Sequence, residues 1–149
     1  MQSSSLSLRP CRPQDLDHVV RLERASFPDR PYGRLDFAYY LLVAREGFIV
    51  ASESGSVLGY VIALSQGGEG SIQSIAVSPE ARGKGVGEVL MRSAIDHLSG
   101  RSARVRLLVA AGNDAALRLY RKLSFQETGK VLPRYYPDGD DALEMAREL

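Results

Sequence analysis

The apolar positions change period several times along the chain, and each change predicts an element. Leu6 to Arg9 reads as a short first strand. Pro13 then suits the first turn of a helix that Leu16, Val19, Val20 and Glu23 continue to about Ala25. Phe27-Pro28-Asp29-Arg30-Pro31-Tyr32-Gly33 is too rich in Pro and Gly for either element and reads as a loop. Residues 34–45 predict a second helix with Leu35, Ala38, Tyr39 and Leu42 on one face. Phe48 to Ala51 and Val57 to Leu64 read as strands joined by a tight turn at Ser54-Gly55. Gln66-Gly67-Gly68-Glu69-Gly70 turns the chain again, into a strand that carries Ile72, Ile75, Ala76 and Val77. A helix over 85–99 follows, presenting Val86, Val89, Leu90, Ala94 and Leu98 at helical spacing. The remainder reads as a strand from Val105 to Val109, a helix over 114–123 and two strands near 125–135 and 141–148. Helices separate some strands and hairpins join others. The class expected is therefore α/β (α+β), with a mixed twisted sheet of six or seven strands flanked by about four helices. No repeat or linker interrupts the pattern, so residues 1–149 are expected to form one domain, with only 1–5 (Gln2-Ser3-Ser4-Ser5) disordered.

One junction in this pattern carries chemistry. The strand ending at Ala76-Val77 runs through Arg82-Gly83-Lys84-Gly85-Val86-Gly87-Glu88 into the helix. Glycines let a main chain approach a ligand closely, and the first N–H groups of a helix point outward with the positive end of its dipole behind them. The segment reads as an anion cradle. A Walker loop would need Gly-Lys-Ser/Thr, but Lys84 is followed by Gly85. A Rossmann fingerprint would need Gly-x-Gly-x-x-Gly, but Gly83, Gly85 and Gly87 are followed by Glu88. A third pattern, Gln/Arg-x-x-Gly-x-Gly/Ala, is met by Arg82, Gly85 and Gly87. In this the chain resembles the GNAT superfamily of acetyl-CoA-dependent N-acetyltransferases, whose loop of this form holds the CoA pyrophosphate. Spacing alone also leaves open the lesser alternative of a glycine-rich helix start without a ligand.

Composition narrows the rest. Apolar residues make up 44% and charged residues 25%, which is ordinary for a soluble globular protein. No apolar run approaches the roughly 18 residues of a membrane span. The first residues lack the basic start and apolar stretch of a signal peptide, so a cytoplasmic protein with no membrane partner is expected. A net charge of +1, with the 19 basic residues scattered, gives no field to attract nucleic acid. Cys11 is alone, which excludes an internal disulfide and predicts a buried or half-buried inert thiol. His18 and His97 have no second ligand at i+3 or i+4, so no metal is expected.

A second motif lies downstream. Asn113 precedes Asp114-Ala115-Ala116-Leu117 as a helix N-cap, and Tyr120 falls two turns further on. Periodicity alone makes Tyr120 a core aromatic. The set Asn113, Ala116, Tyr120 and Phe125 is similar to a pattern of GNAT enzymes in which the Asn contacts CoA and the Tyr hydroxyl serves as general acid toward the departing sulfur. Phe27-Pro28, Ala76-Val77, Asn113 to Phe125 and Arg134-Tyr135-Tyr136-Pro137, followed by Asp141-Ala142-Leu143-Glu144-Met145, resemble the RimI-type N-terminal protein acetyltransferases. The resemblance spans Arg9 to Met145. It implies a GNAT-like fold, acetyl-CoA as cosubstrate and transfer of acetyl to a protein N-terminal α-amine, the founding acceptor being a ribosomal protein with N-terminal alanine.

By the same resemblance Tyr120 is catalytic. Ile75, Ala76 and Val77, the loop residues Arg82 to Glu88, and Asn113 bind the coenzyme. A main-chain N–H at Ile75 to Val77 meets charge on the thioester oxygen. Gln73 or Ser71 would hold a relaying water, and Tyr135 or Tyr136 would line the amine pocket. One departure stands out: where these enzymes place a basic Glu or His five residues before the Asn, this chain has Leu108. An α-amine near pKa 8 is about a tenth neutral at pH 7, so it tolerates that loss better than a lysine amine. Transfer to a small-molecule amine such as a polyamine or antibiotic, and a CoA-binding module without catalysis, remain alternatives. Monomer and homodimer are both open.

Overall fold

Strand-length runs of apolar residues in the first half of the chain pair by hairpins, whereas the second half alternates helix and strand, and the sheet follows that change. The computed structural model describes residues 6–27 and 32–149. The expected disorder at 1–5 and the 28–31 part of the expected loop lie outside those residues. In chain order the elements are β1 (Ser7–Pro10), α1 (Leu16–Ser26), α2 (Arg34–Ala44), β2 (Phe48–Glu53), β3 (Ser56–Gln66), β4 (Glu69–Val77), α3 (Val86–Leu98), β5 (Arg104–Ala110), α4 (Asp114–Lys122), β6 (Gln126–Leu132) and β7 (Ala142–Glu148). One-turn 3₁₀ segments at Pro13–Asp15, Arg45–Gly47 and Pro79–Ala81 supplement the four helices.

The seven strands form one mixed sheet in the order β1-β2-β3-β4-β5-β7-β6. Every pairing is antiparallel except β4 with β5, which α3 connects as a crossover. β7 inserts between β5 and β6, so of the two C-terminal strands only β6 is an edge.

Alternation along the strands divides the core between the two faces. Val50, Tyr60, Ile62 and Leu64 pack with Val19, Leu22, Phe37 and Phe48 beneath α1 and α2. Ile49, Ala51, Val61 and Ala63 point the other way, joining Leu90, Met91, Ala94, Leu98, Val105, Leu107, Leu117 and Met145 beneath α3 and α4. Each such Leu, Ile or Met contributes on the order of 2 kcal/mol.

Three expectations need correction. The α1 pattern starts as a 3₁₀ turn, because Asp15 turns inward: its carboxylate accepts the Arg12 N–H at 2.8 Å and both Arg9 guanidinium nitrogens at 2.6 and 2.9 Å. The Arg9 bonds hold that carboxyl below its usual range. In α2 the residues Leu35, Tyr39 and Leu42 do share a face, but it is the outer one: Leu35 is 86% and Leu42 76% exposed, and Phe37 is buried instead. This helix is apolar on nearly all sides, so its period could not say which side faces the sheet. Val89 of α3 likewise lies partly exposed, with Met91 and Ile95 taking the buried positions.

Candidate active site

β4 and β5 pair only where Glu69–Ser71 meet Arg104–Arg106. Beyond that point the two parallel strands part. A bulge falls beside the separation: the register with β3 passes from Ile62↔Ser74 to Ala63↔Ile72, which leaves Gln73 without a partner. Two cavities fill the gap. The first, about 560 Å³, is walled by Ile75 to Val77 of β4, Leu107 to Ala110 of β5, Arg82, Gly83 and Gly87 of the loop, and Asn113 and Tyr120 of α4. The second, about 320 Å³, lies between Tyr32, Ser71, Arg106, Lys130, Tyr135 and Glu144. Ile72, Gln73, Leu107, Leu108 and Tyr136 belong to both walls.

The loop geometry fits an anion. Gly83 and Gly85 both have φ of +80°, and a Cβ at either would meet nothing within 4 Å, so backbone conformation rather than crowding demands glycine there. At Gly87 a Cβ would make ordinary contact with Val77 and Leu119 at 3.7 and 3.8 Å, in helical conformation. The first ladder bond of α3 runs from the Val89 N–H to the Gly85 carbonyl at 3.1 Å. The N–H groups of Val86, Gly87 and Glu88 therefore have no acceptor within the helix and face outward from its start. Gly85→Ala should lower stability by about 1–2 kcal/mol through the left-handed conformation it must hold. Gly87→Ala should leave stability unchanged or raise it by about 0.5 kcal/mol. Urea midpoints of the two variants compare them directly.

The side chains of this segment divide. Arg82 lines the first cavity, and its Nη2 donates to Ser26 Oγ at 3.4 Å. Val86 is buried in the core, Lys84 is exposed, and the Glu88 carboxylate is held by Lys122 at 2.7 Å and Arg92 at 3.0 Å, which keep its pKa low. These three side chains do not line the cavity, and only their main chain borders the cradle.

On the other wall, Asn113 caps α4, its Oδ1 accepting the Ala116 N–H at 3.1 Å. Tyr120 is 7% exposed and lines the first cavity, its ring 5.9 Å from that of Phe125. Burial, assisted by Tyr136, pushes its phenol up to about 12. Tyr120 thus packs in the core, as its period predicts, and also lines the first cavity.

In the second cavity the rings of Tyr135 and Tyr136 stand edge to face at 5.0 Å. Gln73 Nε2 donates to Ser71 Oγ at 2.7 Å, and the Tyr40 hydroxyl donates to Gln73 Oε1 at 3.2 Å. Two features had not been singled out in the sequence. Glu144 enters the second cavity from β7. Glu23, fully buried in α1, accepts the Tyr60 hydroxyl, which also lies 2.9 Å from Ser74 Oγ on β4. Residues 141–148 read as a strand, but nothing in them fixed which strand would lie opposite Glu144. Among the described residues, no group of three His, Cys, Asp or Glu is placed to hold a metal, and no helix is long and apolar enough to cross a membrane.

Residues 14–125 match the model of the acetyltransferase (GNAT) family. The chain belongs to that family. This GNAT acyltransferase is 32% identical over 157 residues to the N-alpha-acetyltransferase of Saccharolobus solfataricus, covering 96% of this chain and 93% of that protein. It is 32% identical over 140 residues to the N-alpha-acetyltransferase RimI of Mycobacterium tuberculosis, with 90% and 87% covered. Among solved structures, Ard1 from Thermoplasma volcanium superposes with a TM-score of 0.90 at 30% identity, over 97% of each chain.

Proposed function

We propose that the protein transfers the acetyl group of acetyl-CoA to the α-amine of a cytoplasmic protein or peptide. The observation that carries this reading is the parting of β4 from β5, which sets a cavity with an anion cradle and a phenol against a second cavity lined by three tyrosines and a carboxylate. Acetyl-CoA supplies an activated acetyl thioester. For the coenzyme, the main chain of Gly83 to Glu88 offers amides to a diphosphate, and the amide end of Asn113 is left over from capping to reach a ligand. The unpaired edge of Ile75 to Val77 offers main-chain N–H groups to charge building on an oxygen. Tyr120 donates to the departing sulfur.

No covalent acyl carrier belongs to this scheme. Cys11 packs in the cluster beneath α1 and α2, lines neither cavity, and burial pushes its thiol up to about 12, where it is no nucleophile at neutral pH. The amine attacks directly. An N-terminal amine suits the second cavity because it needs room for a chain beyond the nitrogen. Among that cavity's lining residues are Lys130 and Tyr135, both exposed to solvent.

The test is a panel of short peptides with different first residues, one of them a ribosomal N-terminus beginning with alanine, alongside free lysine and polyamines. Thiol released from acetyl-CoA is the readout. Transfer to peptide α-amines alone is expected. Transfer only to the small amines would reassign the acceptor. Leu108 favours a second reading, a CoA-binding module, and coenzyme binding without transfer to any amine would establish it.

A further inference from the structure

We infer that Glu144 is the group that receives the acceptor's ammonium and takes its proton. This inference rests on the acetyl-transfer reading above. Leu108 forms part of the wall between the two cavities and cannot accept a proton. Its register partner across the β5–β7 ladder is Glu144. Residues directly opposite in an antiparallel pair project from the same face with their Cβ atoms about 5 Å apart. A carboxylate therefore stands beside the apolar position of the wall, on the neighbouring strand.

The ladder on its other side is broken at the same level. β6 pairs Glu127 with Met145 and Val131 with Leu143, so Thr128, Gly129 and Lys130 bulge away opposite Glu144. The bulge opens the sheet at this carboxylate. Thr128 Oγ1 donates to Glu144 Oε1 at 2.9 Å, which orients the group and leaves Oε2 out of that bond. Among the described residues lining the second cavity Glu144 is the one carboxylate. The other charged and titratable groups facing it are Arg106, Lys130, Tyr32, Tyr135 and Tyr136. Arg106 and Lys130 bring hydrogen-bond donors only and the three tyrosines bring hydroxyls, so Glu144 is the one carboxylate acceptor in this wall. The carboxylate of the first cavity, Asp138, is occupied within its own turn, where it accepts the Asp140 N–H at 2.9 Å.

The balance is simple. An ammonium that becomes an amide loses two protons as its nitrogen bonds the acetyl carbon and the carbon–sulfur bond breaks. One proton ends on the sulfur of the departing thiol, and the other passes to Glu144 and from there to solvent.

The experiment compares the wild type with Glu144→Gln on a peptide that the wild type acetylates. It reads kcat/KM from pH 6 to 9 and, by calorimetry, peptide affinity for the CoA-loaded protein. At pH 7 the variant should lose about 10- to 100-fold in kcat/KM. Its profile should steepen to tenfold per pH unit below the amine's pKa, because only amine already neutral then reacts. Peptide affinity at pH 6.5 should fall about tenfold, with CoA affinity unchanged. Adding Leu108→Glu to the variant should restore the flatter profile. A Glu144→Gln enzyme with the wild-type profile and wild-type peptide affinity overturns the inference. If CoA binding shows that this variant has not folded, Glu144→Met is judged by the same two readouts. A wild type that binds the peptide without transfer defeats the functional reading alone, and the calorimetric comparison still decides on Glu144.

Discussion

Replacing Tyr120 by phenylalanine should lower kcat by about 100-fold while leaving acetyl-CoA affinity within about twofold. The ring is what packs, against Phe125 and the α3–α4 core, and phenylalanine keeps it. What is lost is one donor in a nearly dry wall, where a hydrogen bond to developing charge is worth more than in water. The wild-type profile carries a second signature. On the proposed reading Tyr120 acts in its protonated form, and burial raises its pKa to about 12, so that form persists as pH rises until that value is approached. The rate should therefore show no alkaline decline up to about pH 10. A thiol ordinarily ionises near 8.5, well below this phenol. On the proposed reading, Tyr120 would contribute a strong hydrogen bond to the sulfur rather than surrender its proton completely. Unchanged turnover in Tyr120→Phe would remove the residue from the reaction.

The largest effect on stability is expected at Glu23. Glu23→Ala should cost about 3 kcal/mol, because it takes the carboxylate acceptor away from the buried Tyr60 hydroxyl, leaving it Ser74 alone, and opens a gap beneath α1. For a chain of 149 residues that is a fall of about 10 °C in Tm, readable by calorimetry. Glu23→Gln keeps an acceptor and the volume, and should cost about 1 kcal/mol or less. Tyr60 is itself raised well above its ordinary pKa by burial, with Glu23 beside it adding to the shift, so the phenol remains the donor at any workable pH. Equal losses in the two variants would show that volume alone, and not the hydrogen bond, is what Glu23 supplies. Ser74, the third member, sits in β4 and in the wall of the first cavity. The network thus ties α1 to the strand that borders the site.

What could be read in the sequence was local. Strand and helix periods located all eleven elements within a few residues, because each was set by near neighbours and by Gly and Pro at the turns. The loop at Arg82 to Glu88 and the pair Asn113 and Tyr120 were legible for the same reason, being short motifs inside single turns or helices. The outward face of α2 was not, since apolar residues surround that helix. Nor was Glu144. Its meaning comes from standing opposite Leu108, thirty-six positions away by subtraction of the residue numbers, after β7 inserts between β5 and β6. Register between strands distant in sequence depends on the whole sheet, and no period within either strand encodes it. The Glu23, Tyr60 and Ser74 cluster escaped for a related reason: three polar residues in three elements signal nothing until the fold brings them together.

Gln73, Leu107 and Leu108 are shared by the walls of the two cavities. On the proposed reading coenzyme and acceptor bind in different cavities, and the elements framing each are different stretches of chain: the loop before α3 and the start of α4 for one, β6 and the turn into β7 for the other. Substitutions that retune which amine is admitted can accumulate on the second frame without disturbing the grip on the donor. A scaffold divided in this way can change its clientele while keeping its chemistry.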